Sequence, residues 1–304
     1  MKALKFMLAT RLTPKVILWA LIPQMALIVL AHLAANFDWW PHYRGLAQSF
    51  RNSVSIIAFA IALMLTLEIA REYRKTPLLH LAWLAMAANA GISVVRMVLE
   101  GPWIGLLWSE YDRSLRGLCQ HLAIVPANVA LLFGVVAMCV AYHRVGLGFE
   151  IERRDYLLMG TIAAVLIALL TFREGLTEAH SSYPAGRYLQ QSGLILLAII
   201  SAVSVLLHRM AIRMGGGLLS KVLMLITLYA LSRSTIVLVG AITPGLHPEA
   251  RIFIRGFIEL AWLTTIWLPA LAAAYRMQMT TDAVREIKHL EKRRVANQAA
   301  PVSI

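Results

Sequence analysis

Residues 53–75 read SVSIIAFAIALMLTLEIAREYRK, an apolar run closed by Arg71, Arg74 and Lys75. A bilayer crossing takes roughly 20 such residues at about 1.5 Å each, and a cluster of Lys and Arg at the end of a crossing marks its cytoplasmic side. Seven further apolar stretches are punctuated by Pro, Gly and charge clusters in the same way. Spans are therefore expected near 16–35, 53–70, 78–99, 118–142, 156–172, 188–207, 219–242 and 256–275, the fifth being the shortest. The expected fold class is an all-α integral membrane protein of eight transmembrane helices.

The whole chain agrees with that expectation. Of its 304 residues 59% are hydrophobic and 15% charged, with a mean hydropathy of +0.68, a composition that would leave large apolar patches on any water-soluble globule. The net charge of +13 does not indicate a nucleic-acid partner, because the basic residues are dealt out periodically among the connections. One set of connections and the two termini, span ends included, carry 19 Lys and Arg, among them Lys2, Lys5, Lys75, Arg144, Arg213 and Lys292; the alternate set carries nine, and Arg233 is left over, inside a span. The positive-inside rule then puts both termini in the cytoplasm, in a plasma (inner) membrane. The first apolar run is long, interrupted at Pro23, and lacks a small-residue cleavage site before Asn36, so it is expected to stay as a helix.

The sparsely charged connections are aromatic: Phe37, Trp39, Trp40, His42 and Tyr43 follow the first span, and Trp103, Trp108 and Tyr111 the third. Rings of this kind favour the headgroup level and read as an interfacial belt. Cys119 and Cys139 are 20 residues apart on one expected helix, about 30 Å, which excludes a bond between them.

An internal repeat links the third and seventh spans. Arg96 precedes Gly101 and Pro102, then Glu110, Arg113 and Arg116-Gly117; Arg233 precedes Gly240, Pro244 and Gly245, then Glu249, Arg251 and Arg255-Gly256. The distance from Glu to Arg-Gly is the same in both. A duplicated four-helix unit is expected, residues 1–148 and 149–275, followed by a cytoplasmic basic tail at 276–304. An even number of helices per unit makes such a repeat parallel.

Ionisable groups inside spans cost at least about 2.5 kcal/mol near the bilayer centre, so they point to function. Arg233 lies deepest, about 12 Å from the outer end of its helix, and Glu259 is its expected partner. With Arg255, Arg96, Gln190 and His121 these residues form the expected ligand-binding set, in an outer-half polar cavity suited to an anion, since guanidinium presents planar donors to carboxylate or phosphate. Glu100, Gln120, Arg173, Glu174 and Gln191 lie at a similar level. Glu68, His80 and Lys221 read as ordinary interfacial groups, with Glu68 and Arg71 paired at i, i+3.

No cofactor or metal site is expected. A haem b between two of His32, His80, His121, His143 and His208 is the competing possibility, but most of these lie at helix ends, where solvated histidine is ordinary. Zinc-binding His-Glu-x-x-His, a phosphate-cradling Gly-Lys-Ser/Thr loop and a Gly-x-Ser-x-Gly elbow are all missing, and Gly215-Gly216-Gly217 reads as a joint rather than a phosphate nest. A non-enzymatic role is favoured. The tail, 276–297, is expected to continue the eighth helix, with Val284, Ile287 and Leu290 on one stripe among basic residues, ready to meet anionic lipid or another helix. Two functions fit: a transporter-like protein that binds or translocates a small anionic or amphiphilic solute between its two halves, or a membrane sensor or accessory subunit that signals to a partner through the tail.

Overall fold

The computed structural model describes residues 12–36, 43–101, 113–147, 152–176, 184–243 and 247–299. Among them eight α-helices and no strand occur: α1 (Pro14–Asn36), α2 (Tyr43–Glu72), α3 (Pro77–Glu100), α4 (Arg113–Tyr142), α5 (Arg153–Leu176), α6 (Pro184–Arg213), α7 (Gly217–Ile242) and α8 (Pro248–Ala299). Proline opens four of these helices because its missing N–H lies where no intrahelical acceptor exists. Thr13 caps α1, accepting the Val16 N–H on its Oγ1 at 3.4 Å. A π-helical turn, His143–Leu147, continues α4. The α6–α7 turn places Gly215, Gly216 and Gly217 at φ 65°, 113° and 86°, left-handed backbone that glycine alone adopts without strain. The three glycines thus form a tight reversal.

Seven stretches within these helices are long and apolar enough to cross a membrane: Pro14–His32, Ser49–Glu72, Pro77–Glu100, Leu122–Tyr142, Gln191–Arg213, Gly217–Gly240 and Ile252–Glu291. α5 covers the fifth and shortest run of the sequence. The protein is a multi-pass helical membrane protein. Several helices overrun the apolar runs that announced them, α2 by ten residues at its start and α6 by several at both ends. Hydropathy marks where the chain leaves hydrocarbon, whereas the backbone ladder stops only where its hydrogen bonds do.

Six helices form a closed ring in which each packs on the next: α2, α3, α4, α6, α7, α8 and back to α2. Their inward faces make one continuous core, including Ala62, Leu65 and Ile69 of α2, Trp83 and Met86 of α3, Leu131 and Met138 of α4, Ile200 and Leu207 of α6, Leu223 and Ile226 of α7, and Leu263 and Ile266 of α8. α1 lies outside on α8 and α2, and α5 outside on α6 and α7. Both leave apolar side chains uncovered, Trp19 and Ile22 on α1 and Leu157 and Val165 on α5, as helices bathed in lipid do. Of the described α5 side chains Asp155 alone is buried, paired with Arg209 of α6.

α2 and α8 run side by side in the same direction. Nearer their starts Arg51 meets Glu259 at 2.7 Å, and where α2 ends Arg276, near the middle of α8, donates from Nε to the Tyr73 hydroxyl at 2.8 Å. The second contact fixes α8 where it leaves the ring. It is extended by the Thr280 hydroxyl on Glu72 Oε2 at 3.0 Å and by the Arg276 guanidinium over the Tyr73 ring. Beyond that point α8 continues unbroken to Ala299. Its 52 residues make about 78 Å of helix against roughly 30 Å of hydrocarbon, so a long segment stands clear of the bilayer.

Candidate functional site

Arg233 and Asp155 are the two charged side chains buried among the described residues. Asp155 has a counter-charge in Arg209. No carboxylate among the described residues lies within ion-pair distance of Arg233, which is 9% exposed and sits 16 residues into α7, about 24 Å along the axis.

Neutral groups hold it. One terminal guanidinium nitrogen donates to Asn128 Oδ1 at 2.9 Å, the other to the Tyr229 hydroxyl at 3.5 Å, and the guanidinium stands 5.4 Å from the centre of the Tyr229 ring. Tyr229 in turn donates its hydroxyl to Asn89 Oδ1 at 3.1 Å. Both carboxamides are oriented by backbone: Asn128 Nδ2 donates to the Gly193 carbonyl at 2.9 Å, and Asn89 Nδ2 to the Ala127 carbonyl at 2.7 Å. Because a carbonyl only accepts, each amide must turn its NH2 toward backbone and its oxygen toward the arginine side. The chain of donors runs Arg233 to Tyr229 to Asn89, and α3, α4, α6 and α7 are fastened at one level. Beside it Ser234 and Ser201 meet at 2.5 Å, and nearer the start of α7 Thr227 donates to the Ser204 carbonyl at 3.2 Å, both between α6 and α7.

The helices approach closely to make this possible. A Cβ on Gly193 would lie 2.8 Å from Ile124 Cγ2, so only glycine lets α6 bring its carbonyl to Asn128. Pro126 removes one N–H from the α4 ladder two residues before Asn128.

Beside the network lies a cavity of about 10 Å³ whose lining includes Ser93 and Arg96 of α3, Tyr229 and Arg233 of α7, and Trp262 and Thr265 of α8. That volume is close to the least that holds one water. Arg96 is paired with Glu100 on its own helix, Nε to Oε1 at 2.6 Å, so of the two guanidiniums on the cavity Arg233 carries the charge without a carboxylate.

Of the residues expected from the sequence, the structure brings Arg96 and Arg233 together and places Glu259 and Arg255 elsewhere. Glu259 is not the partner of Arg233: it pairs with Arg51, because parallel packing of α2 on α8 sets the third turn of one beside the fourth of the other. Arg255 is exposed on α8. His121 and Gln190 fall outside the residues whose side chains are described, as do Gln120, Arg173 and Glu174. Three histidines of the haem alternative have separate neighbours: His32 at the Ile252 carbonyl, His80 at the Ala70 carbonyl and His208 at Met224 Sδ. Glu68 and Arg71 pair at 2.6 Å as their spacing requires. Asn89, Asn128 and Tyr229 lie outside the set expected from the charged residues and histidine. Their signal was present, since an asparagine in the middle of an apolar span is also expensive unless it finds partners.

Comparison of the chain with family models, with curated proteins and with solved structures finds no match in any of the three.

Proposed function

We propose that the bundle binds a small anionic solute at Arg233 and passes it across the membrane. The observation that carries this reading is the buried guanidinium facing neutral partners and opening onto a cavity that Arg96 also lines. A guanidinium has five N–H donors, of which Asn128 and Tyr229 engage two, and an anion supplies the negative acceptor that the described residues do not. At water size the cavity is the closed form of the site; larger anions enter only when α8 and α3 part at Trp262, Thr265 and Ser93.

The arrangement of the ring favours two related halves. Exchanging α2 with α6, α3 with α7 and α4 with α8 carries each of the six ring contacts onto another ring contact, and it exchanges the helix of Arg96 with that of the arginine that matches it in sequence, Arg233. A parallel duplication of 1–148 and 149–275, with solute between the halves, suits this pattern. Both termini then face the cytoplasm, where the basic α2–α3 and α6–α7 turns also lie, in a plasma (inner) membrane.

Thermal unfolding of the purified protein in chloride, formate, acetate and bicarbonate tests the site. A bound anion at 100 times its Kd raises stability by about 2.7 kcal/mol, and Arg233→Gln should remove that rise. Stabilisation of equal size in the variant would remove Arg233 from the mechanism.

A second reading has its own support. Trp262, Thr265 and Ile266 line the cavity on the same unbroken helix that leaves the membrane as the tail. Occupancy of the cavity could then be reported to a separate partner by movement of α8, which makes the protein a sensor or accessory subunit.

A further inference from the structure

A second and larger cavity lies at the opposite end of the molecule from the Arg233 site, where α1 begins and α8 leaves the ring. Its volume is about 230 Å³, and its walls include Leu12, Thr13 and Lys15 from the start of α1, and Met277, Thr281 and Arg285 from α8. The lining is stratified. Ala274, Met277 and Leu12 supply apolar surface on the side of the ring, whereas Lys15 and Arg285 are exposed cations at the rim and Thr13, Thr281 and Gln278 contribute polar atoms. One acidic group, Asp282, shares the wall; it accepts from Gln278 Nε2 at 3.4 Å and lies 3.9 Å from Arg285. Lys15 and Arg285 therefore leave a net positive charge there. The first turn of α1 adds the positive end of a 23-residue helix. Trp19, one turn beyond Lys15, is 72% exposed on the outside of α1, as an aromatic side chain at a membrane interface is.

We infer that this cavity is a phosphate site, filled by the phosphodiester headgroup of an anionic phospholipid or by soluble phosphate. An apolar floor with a basic rim, between two membrane helices at the depth where the apolar spans end, is what a headgroup and the first carbons of its chains require. The inference stands apart from the Arg233 site and does not depend on it.

The test uses the full-length protein, delipidated in detergent, with three probes: phosphatidylglycerol, phosphatidylcholine and inorganic phosphate. Lys15→Gln/Arg285→Gln is compared with Arg74→Gln/Lys75→Gln, which removes two exposed charges from the α2–α3 turn instead. Each basic group near a phosphate contributes about five-fold in affinity. The first double variant should therefore bind its probe roughly 25-fold more weakly, with the second unchanged and phosphatidylcholine bound by neither. Loss confined to phosphatidylglycerol identifies a lipid as the source of the phosphate, and loss of inorganic phosphate binding as well identifies a soluble one. Unaltered binding in Lys15→Gln/Arg285→Gln, or equal weakening in both variants, overturns the site.

Discussion

Arg233 is held by Asn128: its guanidinium nitrogen lies 2.9 Å from Asn128 Oδ1, and Asn128 presents that oxygen because its own NH2 is committed to the Gly193 carbonyl 2.9 Å away. A cation in the bundle is thereby positioned by a neutral amide, which orients charge without cancelling it. Asn128→Asp converts this contact into an ion pair. Its anion-dependent stabilisation should fall at least ten-fold, since the new carboxylate takes the place of the solute, while its unfolding temperature in detergent should change less than that of Asn128→Ala, the ion pair offsetting the donor lost to the Gly193 carbonyl. Asn128→Ala should instead cost about 2–3 kcal/mol, because the buried guanidinium loses its closest acceptor. An aspartate variant that still responds fully to anions would contradict the proposed chemistry.

Glu259 provides the contrast. The Arg51–Glu259 pair is about one-third exposed on both sides, and pairs of that kind contribute about 0–1 kcal/mol. Glu259→Gln should therefore lower stability by no more than that amount and leave the anion response intact. A large loss of the response would mean that the Arg51–Glu259 pair itself takes part in the site.

Close packing at Gly193 is a steric requirement that can be measured. Gly193→Ala sets a methyl group 2.8 Å from Ile124 Cγ2, an overpacking expected to cost about 1–3 kcal/mol. Adding Ile124→Ala removes the opposing methyl. The double variant should then be more stable than the sum of the two single losses, by an interaction energy of about 1 kcal/mol in a double-mutant cycle.

The contact of α5 with α6 includes a pair whose acid, Asp155, is buried and whose base, Arg209, is partly exposed. Replacing Arg209 by Leu leaves Asp155, 1% exposed, as an uncompensated charge, at a cost of about 3–5 kcal/mol. Replacing both residues by Leu should restore most of it. Limited proteolysis near residue 152 reports the same event as release of α5 from α6, and it should appear in Arg209→Leu and not in the double replacement.

Removing residues 280–304 separates the two functional readings. The cut falls beyond the Arg276–Tyr73 contact, so the ring and the Arg233 network should keep their unfolding temperature to within a few degrees. Anion stabilisation and uptake into liposomes should persist for a transporter. A sensor would keep the binding and lose its effect on the partner.

Much of this molecule is legible in the sequence because a bilayer constrains sequence locally. An apolar run must be about as long as the hydrocarbon is thick, and basic residues collect at one kind of connection, so spans and their alternation follow from residues 53–75 and the seven runs like it. The Glu68–Arg71 pair was equally legible, since helical spacing alone brings its members together. Arg233 declared itself by its cost in an apolar environment. The partner of Arg233 did not. Glu259 matched it in depth, but depth is one coordinate, and the rotation and neighbour order of helices supply the other two. Only packing decided that α2 stands between α3 and α8 with α1 outside, so that Arg51 takes Glu259, and that α4 and α6 approach through Gly193 closely enough to aim Asn128 at α7. Those contacts join residues 65 to 208 positions apart, set by the fit of side chains between helices, which no periodicity along the chain records.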